Sequence, residues 1–135
     1  MTPLRNTILC LILLSFPMCR AAFADEAVWS VAGKQVLRLH GTLNGVTPDK
    51  RVETLDERLT NILSTGDGKL GVEDIVLRSE KGEVSIAVRG DLLVTVTAQD
   101  AAANHASREA LGKRWLANLR KTLPQLAPRV NRRGA

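Results

Sequence analysis

"SIAVRGDLLVTVTAQDA" (Ser85 to Ala101) decides how this chain folds. Apolar residues alternate along Val84–Arg89 and again from Leu92, with Arg89-Gly90-Asp91 between the two runs. Such a pattern reads as a β-hairpin, and its register is set by the loop that keeps one face apolar. A two-residue Gly-Asp loop would set Val88 against Leu93 and Ile86 against Thr95, mixing the faces. A three-residue loop sets Val88 against Leu92, Ile86 against Val94 and Val84 against Val96. Because a slip of one residue turns every side chain over, the three-residue loop is predicted. The second strand then stops at Asp100, just before "AAAN", a short helix-forming turn. Asp100 is read as a structural cap whose carboxylate accepts bonds from the amides of that turn.

Upstream, Val72–Arg78 alternates in the same way and reaches Val84 through Ser79-Glu80-Lys81-Gly82. Pairing Leu77 with Val84 and Ile75 with Ile86 keeps these residues on one face and sets Arg78 opposite Glu83. Before this strand lies a clear helix. Thr47 can cap it, Pro48 suits its first position, and Asp49 complements the dipole of the first turn. Val52, Leu55, Leu59, Ile62 and Leu63 form its apolar stripe, and Gly66 is the natural left-handed residue after its end. Earlier still, Val28–Val31 and Gln35–His40 flank Ala32-Gly33-Lys34 as a hairpin, with Leu37 and Leu39 inward and Arg38 and His40 outward.

Downstream, a last helix is predicted from Ser107 to Pro124. Leu111, Trp115, Leu116, Leu119 and Leu123 fill one side of it, and Lys113, Arg114, Arg120 and Lys121 the other. The order is β-β-α-β-β-β-α. The predicted fold class is therefore α+β, a mainly antiparallel sheet with two helices packed on one face.

The ends add an address. Arg5, the apolar run Thr7–Phe16 and the small residues Ala22 and Ala24 have the layout of a secretory signal peptide. Cleavage is predicted after Ala24, leaving one domain over residues 25–124 and a flexible basic tail over 125–135. The apolar run is shorter than the ~20 residues a membrane-spanning helix needs. Phe16-Pro17-Met18 before Cys19 lacks the small residues of a lipidation site. Cys10 and Cys19 both fall in the leader, so the mature chain is expected to have no disulfide and no thiol chemistry.

Few residues suggest a reaction. "TGDGKLGVED" resembles half of a calcium loop, but the first ligand position would fall on Leu63, which cannot ligate a hard cation. His40 and His105 are the two histidines and lack a partner at ligand spacing. No glycine-flanked elbow surrounds Ser85 or Ser107. Catalytic, metal and cofactor residues are accordingly expected to be none. From His105 onward eight Lys or Arg residues face the single acid Glu109. That makes Lys113, Arg114, Arg120 and Lys121 candidate contacts for an anion or partner, with a solvated helix face as the plainer alternative. The export signal argues against nucleic acid.

Two segments, Thr47–Ile62 and Ser85–Trp115, resemble the periplasmic N-terminal domain that precedes the membrane helices in bacterial small-conductance mechanosensitive channels. Arg51, Arg58-Leu59, Gly90-Asp91, Thr95-Val96-Thr97, Asp100-Ala101 and Arg108 fall on that domain's short motifs. Asn104 stands where the pattern has glycine, as a residue tolerant of a left-handed turn. Gly112 stands in place of a helical alanine. A channel after the last helix is not expected. The resemblance implies an exported, non-catalytic sensing or interaction module in the periplasm, with an envelope protein, such as a membrane channel, as partner. Peripheral binding to anionic lipid headgroups or polymer through the basic helix and tail is the alternative.

Overall fold

A computed structural model describes residues 25–65 and 69–126. The predicted signal segment, Gly66, Asp67 and residues 127–135 of the tail lie outside the described residues. The order is β1 (Glu26–Val31), β2 (Lys34–His40), α1 (Pro48–Ser64), β3 (Ile75–Glu80), β4 (Glu83–Val88), β5 (Asp91–Val96), α2 (Ala98–Ala103) and α3 (Arg108–Thr122). The class is α+β, as the sequence predicts. Its strands fall into two antiparallel ladders, β1-β2 and β3-β4-β5.

Three tight hairpins build these ladders. Ala32-Gly33, Lys81-Gly82 and Arg89-Gly90 each hold two consecutive residues at positive φ. That backbone matches the twist of the flanking strands, and glycine adopts it without a Cβ clash. The β4-β5 loop is thus two residues long, Arg89-Gly90, rather than the three predicted. Val84 still faces Val96 and Ile86 still faces Val94, because the ladder shifts between Ile86 and Ala87. Beyond that bulge Ala87 faces Leu92 and Val88 faces Asp91, not Leu92. A bulge adds one residue to one strand, which restores the register that the shorter loop would have lost. It also buries Leu93 and Val94 in succession. A second bulge after Trp29 does the same for Val36 and Leu37.

The β3-β4 register differs from expectation by two residues. Ile75 pairs with Val88, Leu77 with Ile86 and Glu80 with Glu83. A two-residue shift leaves every side chain on its predicted face, so alternation cannot detect it. The Lys81-Gly82 turn, closing on Glu80 and Glu83, makes the choice.

The helices bridge the ladders. α1 lies against β1, β2 and β5, while α3 lies against β2 and all three strands of the larger ladder. Ile86, Ala87 and Val88 are buried in succession, so this end of the larger ladder is covered on both faces. One core runs through the molecule and includes Trp29, Leu39, Leu55, Leu59, Ile86, Val94, Leu111, Trp115 and Leu119. Gly112 is the crossing point of α3: a Cβ there would sit 2.9 Å from both Leu77 Cδ1 and Val84 Cγ1. The helix ends at Thr122 and continues as a 3-10 turn, Leu123–Leu126. Gln125 and Leu126, predicted in the flexible tail, thus belong to this turn; Gln125 is exposed and Leu126 rests on the core.

Candidate functional site

Thr97 ends β5 and opens α2. Its hydroxyl accepts a bond from Asp100 N at 3.1 Å, and the Asp100 carboxylate accepts one from Thr97 N at 3.0 Å. This reciprocal pair is a capping box, in which Thr97 is the cap and Asp100 its third helical residue. Asp100 was expected to cap the following turn itself; it reaches backward instead, and the cap belongs to Thr97.

The carboxylate does more than close the box. Asp100 is fully buried. Its Oδ2 also accepts from Thr97 Oγ1 at 2.8 Å and from Arg51 Nη2 at 2.7 Å. Its Oδ1 accepts from His40 N at 2.7 Å and from Arg51 Nη1 at 3.2 Å. Burial pulls the carboxyl upward, but the donors from Arg51, His40 and Thr97 together hold it below the usual carboxylate range. Arg51 in turn donates to Thr95 O at 3.2 Å and His40 O at 3.4 Å. One ion pair thus ties α1 to the end of β2, to β5 and to α2. His40, predicted to face solvent, is half-buried and sets its Nε2 3.1 Å from Glu26 Oε2. The predicted left-handed residue after α2 is likewise displaced. Asn104 has φ −99 and donates from Nδ2 to Asp100 O, while His105 takes the positive φ of 50.

Arg58 stands two turns further along α1 and repeats part of this geometry. Its Nη1 donates to Leu93 O at 3.0 Å, as Arg51 does to Thr95 O. The two arginines cover outward carbonyls along the open edge of β5, which would otherwise invite another strand. α3 treats other edges alike, through Asn118 to Val36 O at 3.2 Å and Arg120 to Ile75 O at 2.8 Å.

Beside Arg51 and Arg58 opens a cleft of about 400 Å³, walled by Leu39, Leu55 and Val94 and overhung by Leu43 and Val46. Leu43 and Val46 bond each other's backbones across Asn44-Gly45, a turn that projects them outward. A shallower hollow continues on the far side of Arg58, bordered by Asn61, Ile62, Asp91 and Leu92.

Of the four basic residues of α3 predicted as contacts, three are exposed and Arg120 is not. Arg120 is half-buried and binds Ile75 O through both Nε and Nη2, so it is not a free surface cation as predicted. Lys113 pairs with Glu109 at 3.4 Å, and Arg114 and Lys121 are exposed. Among the described residues, no three His, Cys, Asp or Glu side chains gather as a metal site, and no helix is long and apolar enough to cross a membrane.

A family model described as Domain of unknown function (DUF8459) matches residues 27–126. The chain belongs to that family. No curated protein and no solved structure matches it. The DUF8459 span takes in the whole constellation of Arg51, Arg58, Thr97 and Asp100, the cleft beside it, and the final turn through Leu126.

Proposed function

We propose that this chain is an exported, non-catalytic interaction module of the periplasm. It acts through protein contacts in the cell envelope, as the resemblance to the extramembrane domain of mechanosensitive channels implies. The observation that carries this reading is the apolar border of the α1–β5 seam, at the cleft on one side of Arg58 and at the hollow on the other. Leu43, Val46 and Leu92 are 41%, 40% and 42% exposed; the first two are held by their own backbone bridge, and Leu92 lies on β5, whose Thr95 O is bound by Arg51. Exposed apolar residues along a concave border suit contact with a partner. Asp100, the residue best placed to be an acid or base, has both oxygens engaged by donors, which supports a structural role for it.

Attachment to anionic lipid or polymer is the weaker reading. It rests on Lys113, Arg114 and Lys121 together with the tail arginines Arg129, Arg132 and Arg133, since Arg120 is engaged with Ile75 O, and Lys113 already faces Glu109.

The test is recovery of partners from an envelope extract with the mature chain, at low and high salt. Protein contacts through an apolar surface persist at high salt, whereas exposed charge contacts are screened beyond ~8 Å at physiological ionic strength. Recovery of nothing at either salt, with binding to phosphatidylglycerol vesicles that salt abolishes, would favour the lipid reading instead. Mass spectrometry of protein from the producing cell checks export, with Asp25 expected as the first residue.

A further inference from the structure

The two hollows of the α1–β5 seam share one side chain, Arg58. On one side of it stand Leu43 and Val46, and on the other Leu92. These three are exposed large apolar residues, so the seam presents apolar ledges at both ends and a guanidinium between them. That guanidinium is half-buried and uses Nη1 on Leu93 O. Unlike Arg51, it makes no ion pair with any described carboxylate; Asp91, on the same rim, does not pair with it.

We infer that the seam is a docking groove for an extended peptide segment of a partner protein, in which an Asp or Glu lies between apolar residues. The carboxylate binds Arg58, and the flanking apolar side chains rest on Leu43 and Val46 at one end and on Leu92 at the other. Charge complementarity selects this occupant. A planar guanidinium with nitrogens still available binds a carboxylate through two parallel bonds, and partial burial keeps water from competing for it. A single cation flanked by apolar ledges suits one acid in an apolar sequence better than a polyanionic surface. The main-chain route of strand addition is obstructed, because the β5 carbonyls of Leu93 and Thr95 are already held. Side-chain recognition must therefore supply the specificity. This inference rests on the interaction-module reading and names the surface that serves it.

The test selects a random 12-residue peptide display library on the mature chain, then measures the selected peptides by fluorescence polarisation. Enrichment of an Asp or Glu flanked by apolar residues is expected. Arg58→Gln should weaken such a peptide by about tenfold or more, as loss of a charged hydrogen bond does. Leu92→Ser should weaken it too, and both variants should melt close to wild type, so the loss cannot be ascribed to unfolding. Selection of basic or neutral sequences, or binding indifferent to both substitutions, would overturn the groove. So would competition by phosphatidylglycerol vesicles, or self-association of the chain that Leu92→Ser abolishes. If both variants still recover the same envelope proteins as wild type, the groove fails while the interaction reading stands. If wild type recovers none, that reading fails by itself.

Discussion

Arg51 and Arg58 lie two turns apart on α1 and cover outward carbonyls of the same strand, yet they inhabit different regions. Around Arg51 every partner is present: a buried carboxylate, two backbone carbonyls and a capping box. Around Arg58 there is one carbonyl, and then an open groove with apolar borders. The same residue type, presented by the same helix to the same edge, locks the fold in one place and leaves valence in the other. Burial of the counter-ion makes the difference. A fully buried Asp100 needs its cation, whereas an exposed rim needs none.

The strongest test of this contrast removes the Asp100 charge. Asp100→Ala should lower stability by about 3–5 kcal/mol in denaturant melts, since it leaves Arg51 with an uncompensated buried charge. Asp100→Asn should be nearly as damaging, although asparagine caps helices well, because it keeps the shape and loses the charge. A silent Asn variant would mean that capping, and not the ion pair, is what Asp100 contributes.

Acid should reveal the same pair without mutation. The folded-state carboxyl is held below its ordinary value, so the unfolded chain takes up the proton more readily. The stabilisation is fully present above the unfolded value of ~3.9 and is lost as pH falls through the lower, folded-state value. In Arg51→Met the largest lowering influence is gone and burial dominates. Melting temperatures followed from pH 6 to pH 2 should therefore show a smaller acid loss in that variant than in wild type. Equal slopes would assign the acid sensitivity to other carboxylates.

Thr97→Ala should cost about 0.5–2 kcal/mol, the usual range for a lost cap, and less than either Asp100 substitution. At the other region Leu92→Ser should leave stability within about 0.5 kcal/mol of wild type, as surface changes do. A large loss there would show that the ledge belongs to the core and would dissolve the contrast with Arg51.

How much of this was legible depends on which residues carried the signal. Thr47 and Pro48 marked the start of α1 because a cap and a first-turn proline are local features. Val84 facing Val96 could be read because only one parity keeps the apolar residues together. The β3 register could not, since a shift of two preserves parity, and neither bulge is written in alternation. The Arg51–Asp100 pair spans 49 residues, and no local pattern reports a contact at that separation. The resemblance did set both residues among its motifs, though without saying that they meet. Thr97-Ala-Gln-Asp100 has capping-box spacing, a signal that was present and would have moved the cap from Asp100 to Thr97. The engagement of Arg120 is not legible either, because a place on a helical wheel says nothing of a carbonyl on β3 within its reach.

The placement of the two indoles gives the chain built-in reporters of its own assembly. Tyrosine does not occur in the sequence and tryptophan occurs twice, so ultraviolet emission comes from Trp29 and Trp115. Trp29 belongs to the first hairpin, and its Nε1 donates to Asp56 Oδ1 of α1 at 2.7 Å. Hairpins close within about 1–10 μs, but the Trp29 indole gains that partner only when the hairpin meets α1. Trp115 changes surroundings when α3 settles across the strands. A Trp115→Phe chain therefore emits in step with docking of the first ladder, and a Trp29→Phe chain in step with arrival of the last helix. Stopped-flow traces of the two can order events that a single probe would merge.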